Sequence, residues 1–392
     1  MSNFRRVGLI ASAAALVALA VATAASARPA AAASASASIA CGKNVSIGMM
    51  APITGPAASI GDDQLHWAQF YVSIWNNHHK NGLKLTLVQG DTQLDPSKGS
   101  TVAQQFASNA KIMGVIGPAS SSVVEAVAPI LKKAGLAFAS GSATRVSLTG
   151  GAYKGYFFRD VPNDGVQGPT DANYMMSDLG VKSGDSVMVV DDQESYSTGL
   201  ADIVGAALKA KGVKVDRESV SQKSTDFSSL VAKVTGSTKV VFLPFQLASQ
   251  AQLFAQQMKA LGKSAAVFGS DGTFDSSTFN VPGPYVSFFA PDVTTIAADR
   301  GLVKSYHLRY PGGTTPFGAP NFVLAQMYAA AIVKSCKDGK ISRAEVRKNL
   351  ATVSLKSTIL GQPIAFDANG DVAGAAFHIF KIQSDGSYKT VK

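Results

Sequence analysis

Cysteine is nearly absent: Cys41 and Cys336 are the only two in 392 residues, so the chain can form one disulfide at most. Charged residues are also few, at 16%, and the surplus of +10 is scattered along the chain instead of gathered into a basic stripe. Without such a stripe or an aromatic-interleaved motif, nucleic acid is excluded as a partner. No apolar run after the first two dozen residues is long enough to span a bilayer, which takes roughly 20 strongly apolar residues. Enzyme signatures are missing as well. There is no Gly-x-Ser-x-Gly elbow, no phosphate loop ending in Gly-Lys-Ser/Thr and no Gly-x-Gly-x-x-Gly at the first βα turn. His78 and His79 are adjacent, so on a helix they point to different sides and do not make a metal pair. No cofactor is expected.

What remains is a hydrophobic content of 46% over a length that suits two domains with buried cores. Residues 1–27 have the parts of a secretory signal: Arg5-Arg6, an Ala-rich apolar run from Val7, and the small-residue site Ala25-Ser26-Ala27. Arg5 and Arg6 lie in that leader, so processing leaves +8. Residues 28–41 read as a flexible Pro/Ala/Ser linker ending at Cys41. Two fates compete for that cysteine. Ser38-Ile39-Ala40-Cys41 faintly resembles a lipoprotein box, though without Leu at its first position. The alternative is a bridge to Cys336, favoured in an exported chain. Cys41 precedes the first strand and Cys336 ends a helix, and helices run antiparallel to strands in such a sheet, so both fall at the bottom of one lobe.

The periodicity then predicts β-α-β-α-β. Strands at 45–50, 83–87 and 115–116 alternate with a helix carrying Leu65, Ala68, Val72 and Trp75 and another opened by Asp95-Pro96. A strand at 156–159 leaves this lobe. A second series follows, with helices at 167–179, 199–211, 227–234 and 247–261 and strands at 186–190, 213–215, 240–243 and 266–268. Helices are expected again at 300–310, 321–337 and 343–350. Asn369-Gly370 signals a hairpin between 364–367 and 375–382. The fold class is α/β, with two doubly wound parallel sheets.

Two hydroxyl-rich turns end strands of the first series: Gly117-Pro118-Ala119-Ser120-Ser121-Ser122 and Ala139-Ser140-Gly141-Ser142-Ala143-Thr144. Serines 120–122 are ordinary helix caps when taken alone. Paired at the carboxyl ends of parallel strands, small hydroxyls and helix N-termini suit a carboxylate. With these turns go Ile47 to Pro56, Gly90-Asp91-Thr92-Gln93, Asp191 to Gly199, Gly269-Ser270-Asp271-Gly272 and Phe366 to Asp371. In this order they resemble the branched-chain amino-acid-binding family of extracytoplasmic solute-binding proteins, the receptors of ABC importers.

The resemblance implies a type I periplasmic binding protein, with lobe 1 at 42–159 and 291–377, lobe 2 at 160–290 and 378–392, and a three-segment hinge. It places Ser121, Ser142 (mainly through its backbone) and Thr144 on a ligand carboxylate, and Asp271 on an ammonium. Tyr196 would close over the ligand from the second lobe. Ile60 and Gln246 stand where relatives carry tyrosines, which implies a pocket shaped differently from a strict leucine site, and Phe322 is a further wall candidate. The expected protein is exported, free or lipid-anchored, and monomeric. It would deliver an amino-acid-like solute to a membrane permease, with an amide or urea sensor of the same fold as the alternative and an unrecognised hydrolase behind both.

Overall fold

Residues 47–51 are buried on both faces, as inner strands of a covered parallel sheet are, and in the computed structural model residues 44–51 form an inner strand of the first of two largely parallel sheets. The structure describes residues 38–42, 44–79, 82–311, 316–336, 338–374 and 376–392. The leader expected at 1–27 and most of the linker at 28–41 lie outside them. Within that linker Ile39–Ala40 is a strand, β1.

The first sheet is built from β2 (Asn44–Ala51), β3 (Lys84–Asp91), β4 (Ile112–Ile116), β5 (Phe138–Ser140) and β6 (Phe157–Arg159), in the order β3-β2-β4-β5-β6. Its crossovers are α1 (Ala58–His78), α2 (Pro96–Ser108) and α3 (Ser121–Lys133). Asp95 caps α2 by accepting from the Ser97 and Lys98 amides, with Pro96 at the first helical position, where a missing N–H costs nothing.

The second sheet follows helix α4 (Asp164–Ser177). It takes β7 (Ser186–Asp191), β8 (Lys214–Ser219), β9 (Thr238–Leu243), β10 (Ala266–Gly269) and β11 (Tyr285–Phe288), linked by α5 (Ser195–Lys209), α6 (Ser228–Ala232) and α7 (Ala248–Ala260). Helices α4 and α5 begin earlier than the periodicity predicts. Asn163 caps α4 by accepting from the Gly165 amide, and α5 carries Gly199 in its interior.

The chain then supplies α8 (Arg300–Arg309), α9 (Gly318–Ser335), β12 (Lys340–Ile341), α10 (Arg343–Leu350), β13 (Ser354–Leu355) and β14 (Ile364–Ala365). Helix α9 is buried nearly all round. From it Tyr328 donates to the carbonyls of Val115 and Ala137 at 2.9 and 3.0 Å, which ties the helix to the first sheet. The last strands, β15 (His378–Ile382) and β16 (Tyr388–Thr390), close the second sheet antiparallel, in the order β16-β15-β11-β10-β9-β7-β8.

The hairpin expected around Asn369-Gly370 forms only in short, with Phe366 bridged antiparallel to Val372 and the Asp367 amide donating to the Asp371 carbonyl, and its longer strands are corrected by this arrangement. The turn exists, with Asp367 accepting from the amides of Asn369, Gly370 and Asp371. Its flanks nevertheless go to different sheets, β14 pairing with β13 and β15 with β11. The turn is also docked: Arg159 donates its amide to the Gly370 carbonyl and its guanidinium to Asp371.

Cys41 and Cys336 form a disulfide with their Cα atoms 5.7 Å apart. Beside it β1 pairs antiparallel with β12, Ile39 opposite Ile341 and Ala40 opposite Lys340.

Candidate functional site

Each sheet reverses its strand order beside its first strand, between β2 and β4 in one and between β7 and β9 in the other. Crevices for ligands open at the carboxyl ends of such strands. The loops after β4, β5, β7, β9 and β10 converge there.

The turn after β4 begins at Gly117, at φ +96°, where a Cβ would come within 2.0 Å of the Met50 carbonyl oxygen, so only glycine fits. Ser120 is the cap of α3, accepting from the Val123 amide, and Ser121 is the first helical residue, its Oγ accepting from the Arg145 amide at 3.3 Å. The two turns are sewn together by serines. Ser140 donates to the Pro118 carbonyl at 2.7 Å and accepts from the amides of Ser142 and Ala143. Ser142 donates to the Ala119 carbonyl at 2.8 Å and accepts from Gln64 Nε2 at 2.9 Å.

Arg159 underlies the second turn. Its side chain has no exposed surface, pairs with Asp371 at 2.5 Å and donates to the carbonyls of Ala143 and Arg145 at 3.0 and 2.8 Å. Burial pulls its guanidinium pKa down and the Asp371 carboxylate pulls it back up. Thr144, between those two carbonyls, keeps a buried hydroxyl beside the Asp164 carboxyl, whose charged form it favours.

In the second lobe Asp271 opens a short turn after β10 and is 3% exposed. The Tyr196 hydroxyl and Gln167 Nε2 both donate to its Oδ1, at 2.5 and 2.7 Å. Burial pushes its carboxyl pKa up to about 6 against those two hydrogen bonds. Burial first, then the Asp271 charge, keeps the Tyr196 hydroxyl protonated well beyond its ordinary range. Gln246 is held by its backbone, whose amide donates to Asp192 Oδ2 at 2.7 Å, while its side-chain oxygen is buried without a partner.

The lobes meet across the crevice. Arg145 of the first donates to the Ser195 carbonyl at the start of α5, and Ser59 donates to Asp275 at 3.0 Å. Gly199 admits Arg145, since a Cβ there would stand 2.6 Å from its Nη1. Between the lobes lies a cavity of about 20 Å³, lined by Ile60, Ser121, Ser142, Tyr196, Gln246 and Asp271 among others. That is room for about one water, so a solute enters only when the lobes part.

Six of the seven expected contact residues thus share one cavity wall, and Thr144 stands outside the lining. Phe322 does not reach the wall. It packs into the core edge-on to Trp67 and Tyr71. Gln64, Asp164 and Gln167, which support the site, gave no signal in the sequence, because polar residues on an amphipathic helix read as its wet face.

A larger cavity of about 690 Å³ opens along α1, bordered by Asp63, Trp67, Asp275, Tyr306 and Tyr310. Its buried acids are engaged: Asp63 accepts from Tyr306 and from the Gly318 amide, and Asp275 accepts from Ser59, Ser277 and Thr278. Of the buried side-chain atoms without a hydrogen-bond partner among the described residues, Gln246 Oε1 belongs to the smaller cavity and none to the larger one.

Residues 44–387 match the sequence model of one protein family, described as periplasmic binding protein. The chain belongs to that family. A Leu/Ile/Val-binding protein homologue of Brucella melitensis is 27% identical over 353 residues, covering 86% of this chain and 91% of the relative. Among solved structures, a leucine binding protein from Thermotoga maritima superposes with a TM-score of 0.79 at 19% identity, over 89% of this chain and 98% of that one. A fatty acid ABC transporter substrate-binding protein from Thermomonospora curvata gives 0.78 at 19% identity, over 89% and 92%. The fold is that of type I periplasmic binding proteins, and these relatives are binding proteins of transporters, not enzymes. No helix among the described residues is long and apolar enough to cross a membrane.

Proposed function

We propose that this chain is the extracytoplasmic solute-binding component of an ABC importer, capturing a small amino-acid-like solute between its lobes and delivering it to a membrane permease. One observation carries the reading. Neutral hydroxyls at the α3 N-terminus face a buried carboxylate, Asp271, across a single cavity. Neutral donors at a helix N-terminus stabilise an anion, and a carboxylate receives a cation, so a zwitterion matches both ends at once.

In this reading Ser121, Ser142 and Thr144 hold the ligand carboxylate, Asp271 holds the ammonium, and Tyr196 closes the cleft. Ile60 and Gln246 shape the side-chain end. Export by the leader would put the protein outside the membrane, as the family implies. A thermal-shift screen of amino acids, amides and short carboxylic acids tests the reading, because a solute that binds only the folded state raises its melting temperature. No response to any amino acid would refute it.

A further inference from the structure

Lysines that are scattered in the sequence are gathered by the topology. In a parallel sheet the turns that lead from a helix into a strand fall at the amino ends of the strands, the pole opposite the ligand crevice. That pole of the second lobe carries Lys182 before β7, Lys209 and Lys211 around the end of α5, Lys214 opening β8, Lys239 near the start of β9 and Lys259 near the end of α7. These turns are stitched to one another. The Gly184 amide donates to the Gly212 carbonyl at 2.9 Å, the Lys214 amide to the Asp185 carbonyl at 2.8 Å and the Ser186 amide to the Ser237 carbonyl at 3.4 Å. Lys263 donates to the Val234 carbonyl at 2.6 Å, which joins the turn before β10 to the turn before β9.

All six of these lysines are exposed, and among the described residues none of them is in an ion pair. The acids beside them are engaged: Asp178 pairs with Lys392, Glu218 with Lys233, Asp185 accepts from the Lys182 amide and Asp216 from the Ser186 hydroxyl. Lys209 and Lys259 stand in the last turns of α5 and α7, where the helix dipole accounts for a cation. The other four lie outside helices, beyond the reach of that effect. Leu261 caps α7 two residues after Lys259, and 51% of it is exposed. A soluble polyanion has no use for an exposed leucine, whereas a bilayer takes ammonium groups at its headgroups and an apolar side chain just beneath them.

We propose that this basic pole, with Leu261 on it, is a docking surface for a bilayer of anionic lipids. It does not depend on which solute the cleft takes. Clusters of about four to eight basic side chains are enough to hold a protein on such a surface. Cys41 is spent on its bridge to Cys336, which leaves it no thiol to carry a lipid, so a charged pole supplies an attachment of another kind. The contact is reversible, because salt screens exposed charges over about 10 Å. Docking through the amino ends of the strands leaves their carboxyl ends, where the crevice lies, open to solute.

The test is cosedimentation of the exported chain, leader removed, with vesicles of phosphatidylglycerol and phosphatidylcholine, beside vesicles of phosphatidylcholine alone. The mixed vesicles are expected to bind at least about tenfold more tightly at low salt and to lose that advantage at about 0.5 M salt. Lys182→Gln, Lys211→Gln and Lys214→Gln together are expected to weaken binding at least about tenfold. Lys111→Gln, Lys133→Gln and Lys340→Gln remove the same charge from exposed positions of the first lobe and are expected to leave it within about twofold, since charges more than a Debye length away are screened. Leu261→Ser is expected to weaken it without changing the salt dependence. Equal losses from the two triple variants overturn the inference, because net charge alone then explains the binding. Equal binding to both kinds of vesicle overturns it too, and so does binding to soluble polyphosphate with none to the vesicles, which makes a free polyanion the partner. The salt dependence of the parent needs no variant, so the result stands even if a triple variant misfolds.

Discussion

Tyr196 and Gln167 donate to the same oxygen of Asp271, Oδ1, from two different helices. The carboxylate is therefore fixed in orientation before any ligand arrives, and among the described residues no side chain bonds to its second oxygen. That pre-organisation lowers the ordering cost of binding. Asp271→Asn keeps the shape and removes the charge, and the expected loss for an ammonium-bearing ligand is about 2–5 kcal/mol. Thr144→Val removes one neutral group and is expected to lose about 1–3 kcal/mol. Calorimetry on the two variants with one amino acid ranks them; equal affinities for wild type and Asp271→Asn would mean that no ammonium sits there.

Acids held above their ordinary pKa give a definite sign of pH dependence. The unfolded chain releases the Asp164 proton near 3.8, whereas the closed native form keeps it to about 7. The native state therefore binds more protons in that window, and stability is full below it and falls as pH rises through it. The shift corresponds to at most about 4 kcal/mol. Asp164→Asn is expected to melt above wild type at pH 8 and level with it at pH 4. A variant that melts lower at both values would show that the carboxylate stabilises the fold.

The Cys41–Cys336 bridge spans a sequence separation of 295 residues. Closing so long a loop restricts the unfolded chain strongly, and its removal is expected to cost about 2–5 kcal/mol. Chemical denaturation of Cys41→Ser with Cys336→Ser, beside the oxidised parent, measures it. Mass spectrometry of the unreduced exported protein checks the bridge directly, and a lipid on Cys41 would contradict it.

Arg145 makes a cross-lobe contact, reaching the Ser195 carbonyl past Gly199. Lobes joined by a few crossing segments have a soft interface, so one such hydrogen bond shifts the balance between open and closed. Arg145→Ala is expected to raise the radius of gyration of the unliganded protein in solution scattering, and saturating ligand is expected to restore compaction. Identical scattering curves for parent and variant would rule the contact out as a latch.

Much of the architecture was legible because it is written locally. The alternation of strand and helix, the Asp95-Pro96 start of α2 and the paired serine turns need only short windows of sequence. The positions of Ser121, Ser142 and Asp271 followed from strand ends, where parallel sheets put their ligands. What was not legible depends on distant partners. Asn369-Gly370 has hairpin chemistry, but Arg159, far away in the chain, captures the turn. Phe322 lies on α9, a helix apolar all round, so periodicity could not say which side it serves. Asp164 and Gln167 look like solvent-facing positions, and only the packing of α4 against Asp271 buries them.

The last strands of the second sheet come from the very end of the chain. Strand β11 waits for β15, whose first residue follows it by some ninety positions, after helices that serve the other sheet. During synthesis neither half can finish alone, because each borrows segments made later. Such non-local pairing is slow to form, and partly made sheets expose edges that aggregate. The order of the strands therefore acts as a timer. The second sheet is complete only when residues 378–390 have joined it.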